Sequence, residues 1–271
     1  MPDRRLDENN LIEVLQKLKD IIIPITNNAG SHNAFYRGKS LGSSVTAEQW
    51  AAIDAGTFND MYIGDYWEIN NRIWYIAAFN DWLNTGDTPC TTNHVNIIPA
   101  INLATGWMNK TSVTTNAYVA SDYYQGTNGT TGKAVCEAII NAAFGASHIL
   151  SHREYLKNAT AGSGTAIYEN NGTWVDSTFE LMTERMVYGN AVFGNSLHGT
   201  SYHASHTIDH TQLPIFAYNK GLICTGDAWW LRDVGSSTQF CNINSNGLCS
   251  YNAAGSTSMN FGYRPIFAIC A

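Results

Sequence analysis

The chain has 271 residues, a net charge of −7 and only 14% charged residues, against 44% hydrophobic. That length suffices for one large domain or two small ones with a substantial core. The acidic balance leaves no basic footprint for nucleic acid, and no apolar run approaches the roughly 18 residues of a membrane span. Charge this sparse, compared with roughly 25% in ordinary soluble domains, means that the polar surface is built from Asn, Thr, Ser and Gly. Such surfaces are common in extracellular β-rich proteins and virion proteins.

In chain order, "MPDRRLDENN" carries positive charge but no apolar stretch follows it, so a secretory signal is not expected. Leu11, Leu15, Leu18, Ile22 and Ile25 then recur at steps of four and three, a heptad seam that Val14 and Ile21 widen. Pro24 and "TNNAG" end this helix. Residues 1–28 are therefore set apart as an oligomerising or attachment helix, the alternative being a helix packed on its own domain. "TAEQWAAIDAG" has a capping start and a glycine stop, and predicts a short helix. "MYIGDYWEINNRIWYIAAF" predicts two aromatic strands turning at Asn70-Asn71, and "HVNIIPAI" another strand.

Helical spacing runs through "GKAVCEAIINAAFG" and again through "SHILSHREYL", which places His148 and His152 on one helix. "NATAGSGT" is a loop. "STFELMTERMVYG" predicts an amphipathic helix with a serine cap and a stripe of Phe179, Met182, Met186 and Val187. Residues 213–271 read as strands with short turns. Helices and strands interleave without regular βαβ spacing, which gives an α+β class with a mainly antiparallel sheet.

The motifs that would carry chemistry are weak. His198, His203, His206, Asp209 and His210 crowd into "HGTSYHASHTIDH", but HExxH is absent and a polar loop or subunit contact is the preferred reading. "GTNGTTGK" lacks P-loop spacing and reads as a loop entering a helix. Asp60, Asp65 and Glu68 lie near aromatics, as in a glycosidase, yet ordinary strand and turn use is preferred. No catalytic residue, cofactor or metal ligand is assigned. Six scattered cysteines (90, 136, 224, 241, 249 and 270) form no CxxC pair, and reduced thiols are expected. Arg232 and Arg264 are expected to bridge loops through backbone carbonyls.

The stretch "FCNINSNGLCSYN", residues 240–252, predicts a hairpin. A three-residue loop, Ser245-Asn246-Gly247, sets Ile243 against Cys249 and Cys241 against Tyr251 on one apolar face. Asn242, Asn244, Ser250 and Asn252 then share a polar outer face, with Leu248 beside the turn.

"WWLRDVGSSTQFCNINSNGLCSYN" followed by "GYRPIFAI" resembles the C-terminal end of C-type-lectin-like folds, including the formylglycine-generating-enzyme superfamily. More narrowly it resembles phage and bacterial proteins that retroelements diversify, and "FYRGKSLG", "IGDYW" and "ELMTERMVYG" resemble phage tail or virion proteins. The resemblance implies a C-type-lectin-like domain over residues 29–271 with a ligand-display region at about 229–269. Ligand contacts would come from Trp230, Asp233, Ser236, Thr238, Phe240, Asn242, Asn244, Asn246, Leu248, Ser250, Asn252 and Asn260. It further implies a virion protein, assembled in the host cytoplasm as a homo-oligomer with a trimer favoured, that contacts other virion proteins and binds a bacterial surface protein or glycan. A head or tail decoration protein and a glycan hydrolase are the alternatives. The Glu-Pro-Asn run of calcium-dependent sugar-binding lectins is absent, as is a copper-binding cysteine set.

Overall fold

Asn70 and Asn71 both take positive φ, 53° and 58°, the backbone of a two-residue hairpin turn that asparagine tolerates. They join β1 (Tyr66–Ile69) to β2 (Arg72–Phe79), with Trp67 opposite Trp74 as the alternation requires. The computed structural model describes residues 11–18, 27–111, 118–125, 132–156, 173–193, 212–236, 238–253 and 260–271. Within them, β3 (Val95–Pro99), β12 (Pro265–Ile269) and β7 (Phe179–Leu181) complete an antiparallel sheet in the order β1-β2-β3-β12-β7.

A second five-stranded sheet runs β10 (Cys249–Ala253), β9 (Gln239–Ile243), β8 (Trp229–Ser236), β11 (Phe261–Tyr263) and β4 (Ala104–Gly106). Its pairs are antiparallel except β8 with β11, which is parallel. β5 (His152–Leu156) and β6 (Thr173–Ser177) form a separate two-stranded ribbon. The protein is thus a mixture of helices and mostly antiparallel sheets, with a short helix near its N-terminus.

The two large sheets are stitched together at "GYRP". β11 belongs to one sheet and β12 to the other, and Arg264 alone separates them. Its guanidinium is fully buried beside the Trp229 and Phe216 rings, 5.1 and 5.6 Å from their centroids. It donates to the carbonyls of Pro99 (2.9 Å) and Leu222 (2.8 Å). Arg264 therefore bridges backbone carbonyls as expected, and burial pulls its pKa down to about 9. A Cβ at Gly262 would fall 1.9 Å from the Asn102 side chain, so only glycine fits where β11 passes.

The upstream motifs also meet. Arg37 of "FYRGKSLG" clasps the buried Asp65 of "IGDYW" through Nε (3.1 Å) and NH2 (2.6 Å). The same carboxylate accepts the Tyr62 and Lys39 backbone N–H groups. Asp65 is thus a structural anchor.

α3 (Ala47–Asp54) begins with the expected capping box between Thr46 and Gln49. Elsewhere tertiary pairing overrides local periodicity. The expected helix over 132–156 stops at Phe144, where α5 (Lys133–Phe144) ends at Gly145 with φ +83°. His148 sits in a single 3-10 turn and His152 opens β5, so they do not share a helix. Phe179 is likewise not helical. β7 pairs with β12, and Thr183 caps a shorter helix, α6 (Glu184–Tyr188). Residues 213–223 hold α7 (Pro214–Tyr218) and a 3-10 turn instead of strand.

Residues 11–18 form a helix, α1, with Leu11, Leu15 and Leu18 exposed. Ile22 and Ile25 of the seam, "NATAGSGT" and the His198–His210 cluster lie outside the described residues.

Candidate ligand-display surface

The hairpin has the expected register. Cys249 pairs with Ile243 and Tyr251 with Cys241, and Gly247 takes φ +79° in the loop. The loop is closed by Asn244, whose backbone N–H donates to Leu248 O while its Oδ1 accepts from the Asn246 and Leu248 N–H groups, both at 3.0 Å. Two groups from elsewhere fasten it. The Tyr188 hydroxyl donates to Gly247 O (2.8 Å), and the Cys224 thiol to Ser245 O (2.9 Å).

Its faces differ from the expectation. β9 lies between β10 and β8 and is covered on both faces: Phe240 and Asn242 on one are buried, as are Cys241 and Ile243 on the other. Phe240 is not an exposed aromatic contact, and Asn242, 1% exposed, is not a display residue. Asn242 Oδ1 instead accepts from Asn252 Nδ2 at 2.9 Å. Tyr251, expected to face inward, is 44% exposed because β10 is the edge strand and the core stops at β9. Its ring meets Phe193 edge-on at 4.9 Å.

Trp230 and Asp233 are also interior. The pairing of β8 with β9 slips between Trp230 and Val234, a bulge that breaks the two-residue alternation, and every residue from Trp229 to Val234 is buried. Both tryptophan rings therefore lie in the core. Trp230 Nε1 donates to Gly106 O and Trp229 Nε1 to Ile223 O. Arg232 pairs with Glu154 at 2.5 Å. Asp233 Oδ2 accepts the Glu184 N–H at 2.6 Å.

Glu184 ties the edge of the hairpin to its neighbours. It is fully buried, and its carboxylate accepts the Val192 N–H (2.7 Å), the Phe193 N–H (3.0 Å) and the Cys249 thiol (2.9 Å). Burial and this carboxylate push the Cys249 thiol pKa well up, and burial with nearby acids does the same for Cys241. These thiols serve as hydrogen-bond donors, poorly suited to nucleophilic work. All six cysteines are free.

What remains outward is a compact set. Asn246 and Leu248, the latter 63% exposed, flank the turn. Tyr251 stands along the edge strand, and Thr238 and Asn260 are exposed nearby in sequence. Ser236, Asn244, Ser250 and Asn252 are half-buried. A concavity of about 340 Å³ opens beside the turn, lined in part by Tyr188, Gln212, Lys220, Cys224 and Asn246. Searches of family models, curated proteins and solved structures found no match to this chain. Among the described residues, no group of three His, Cys, Asp or Glu side chains is placed to hold a metal ion.

Sequence reasoning missed Tyr251, Tyr188 and Glu184. Only Tyr251 had a signal, since a polar sequence on both sides of a terminal hairpin is compatible with an edge strand.

Proposed function

We propose that this chain is a C-type-lectin-like binding protein of a phage particle that attaches to a bacterial surface molecule through the tip and edge of the Gln239–Ala253 hairpin. The observation that carries the reading is a contrast. The loop backbone is held by Asn244, Tyr188 and Cys224, while the Asn246, Leu248 and Tyr251 side chains stand in solvent. A fixed backbone with outward side chains binds at low entropic cost, because the loop is already in its bound form. The side-chain chemistry offers apolar contact from Leu248, stacking from Tyr251 and hydrogen bonds from Asn246.

The reading is of binding without catalysis, cofactor or metal. It is supported by the buried acids, each engaged structurally: Asp65 with Arg37, Glu154 with Arg232, Glu180 with Lys133, and Glu184 and Asp233 with backbone N–H groups. Individual sites are weak by this chemistry, and an oligomer on a particle gains through avidity. The exposed leucines of α1 supply the surface for such an oligomer.

The test is attachment of the fluorescently labelled protein to whole bacterial cells of several genera, beside the double variant Leu248→Asp/Tyr251→Asp. Loss of attachment with an unchanged thermal melt supports the reading. Equal attachment by both proteins moves the receptor surface off the hairpin. A folded protein that attaches to no cells, yet co-purifies with phage particles, favours the decoration role.

A further inference from the structure

The concavity of about 340 Å³ beside the hairpin turn has fixed walls, and its volume lies at the small end of ligand sites. Tyr188 and Cys224 line it and are the two groups that fasten the turn, through Gly247 O and Ser245 O. Gly247 passes so near Cys224 that a Cβ on it would fall 3.2 Å from the Cys224 Cβ. Gln212 is held by its own Nε2, which donates to Val187 O at 2.7 Å.

Three polar groups in this frame are left over. Among the described residues, the Lys220 side chain makes neither an ion pair nor a hydrogen bond, the Asn246 side-chain amide has no partner, and Gln212 Oε1 accepts no hydrogen bond. Lys220 is also the one charged residue of the described lining, which contains no carboxylate. On a chain of net charge −7 this is a local positive point, and it favours a ligand with a negative group.

The backbone around the turn narrows that group. Phosphate is gripped by arginine forks or by several backbone N–H groups at once. No arginine is in the described lining, and the N–H groups of the turn are already taken. Asn246 and Leu248 donate to Asn244 Oδ1, Gly247 donates to Asn244 O, and Gly221, next to Lys220, donates to Asn219 Oδ1. A single ammonium on a flexible stem matches a single carboxylate. Beside it, the Tyr188 ring and the buried Ile223 supply an apolar wall, and the amides of Asn246 and Gln212 supply partners for hydroxyls.

We infer that this concavity binds an acidic saccharide, with its carboxylate on Lys220 and its hydroxyls on Asn246 and Gln212. The inference rests on the hairpin reading for its role, and it names the bacterial surface molecule as a glycan with carboxylate-bearing sugars.

The experiment follows amide NMR spectra of the full-length chain at constant ionic strength. Glucuronate, galacturonate and N-acetylneuraminate are titrated in turn up to about 0.1 M, the range for millimolar affinity, beside glucose, acetate and glucose 6-phosphate. At least one acidic sugar is expected to give saturable shifts and to bind at least threefold tighter than each of the three comparison ligands. Lys220→Met keeps the stem, removes the charge and weakens that binding at least threefold; the melt stays unchanged, since Lys220 is exposed. The inference is overturned if no acidic sugar saturates, if any comparison ligand comes within threefold of the best one, or if Lys220→Met changes the affinity less than threefold. Cell attachment of Leu248→Asp/Tyr251→Asp reads the hairpin separately. Attachment lost in that variant, with no acidic sugar bound by the unaltered chain, sinks this inference alone. Acidic sugar bound through Lys220, with attachment unchanged in that variant, keeps the saccharide site and removes its role as the receptor site.

Discussion

Asn252 Nδ2 donates to Asn242 Oδ1 across the β9–β10 pair at 2.9 Å, and Asn242 is buried. Two residues that look like display positions are thus bonded to each other. Asn242→Ala removes the acceptor of the half-buried Asn252 amide and is expected to cost about 0.5–1.5 kcal/mol. Asn246→Ala, at the exposed turn, changes stability by about 0.5 kcal/mol or less. Urea unfolding of both variants checks this, and an unstable Asn246→Ala beside a neutral Asn242→Ala would invert the assignment.

Arg264 holds the crossing between sheets. Arg264→Met keeps much of the aliphatic stem but strips the donors from the Pro99 and Leu222 carbonyls. A buried acceptor and a part-buried one lose their partner, and the expected destabilisation is about 2–4 kcal/mol. Near-native stability in a chemical melt would show that the guanidinium is not what ties the sheets.

Acid sensitivity follows from His94. Burial lowers its pKa from 6.5 to about 4, and Nε2 accepts the Trp82 N–H while Nδ1 reaches Thr92 O. Between those values the unfolded chain binds more protons than the folded one, so stability drops as pH falls through the window. The loss is at most roughly 3 kcal/mol for this ring. His32, buried with its pKa also lowered, adds to it in the same direction. A melting temperature that does not change between about pH 6.5 and 4 would contradict this assignment.

Assembly is the remaining expectation. Leu11, Leu15 and Leu18 are exposed on one helix, which by itself is too short to be stable. Light scattering is expected to give an oligomeric mass for the full chain, with a trimer favoured, and a monomeric mass for a chain lacking residues 1–28. Monomeric masses for both would remove the coiled-coil reading.

Much of the fold was legible in the sequence where the deciding interactions are local. The Asn70-Asn71 turn, the Thr46 capping box and the register around Gly247 each rest on neighbours a few residues apart. Phe179 shows the limit. Its helical spacing is real, but its partner Phe267 lies near the far end of the chain, and strand pairing wins. The display face failed for a related reason. Alternation says which residues share a side, but whether that side meets solvent depends on what covers the sheet. β9 turned out to be interior and β10 the edge, and the bulge in β8 reset the alternation for Arg232 and Asp233.

The seat of β12 in the middle of the first sheet sets a timetable for synthesis. Ile97 waits for Phe267, and every residue between them must leave the ribosome before that edge of β3 is covered. At ordinary elongation rates β3 presents an open, apolar edge for roughly ten to thirty seconds. Loss of residues 265–269 would leave the first sheet in two pieces even though most of its strands had been made.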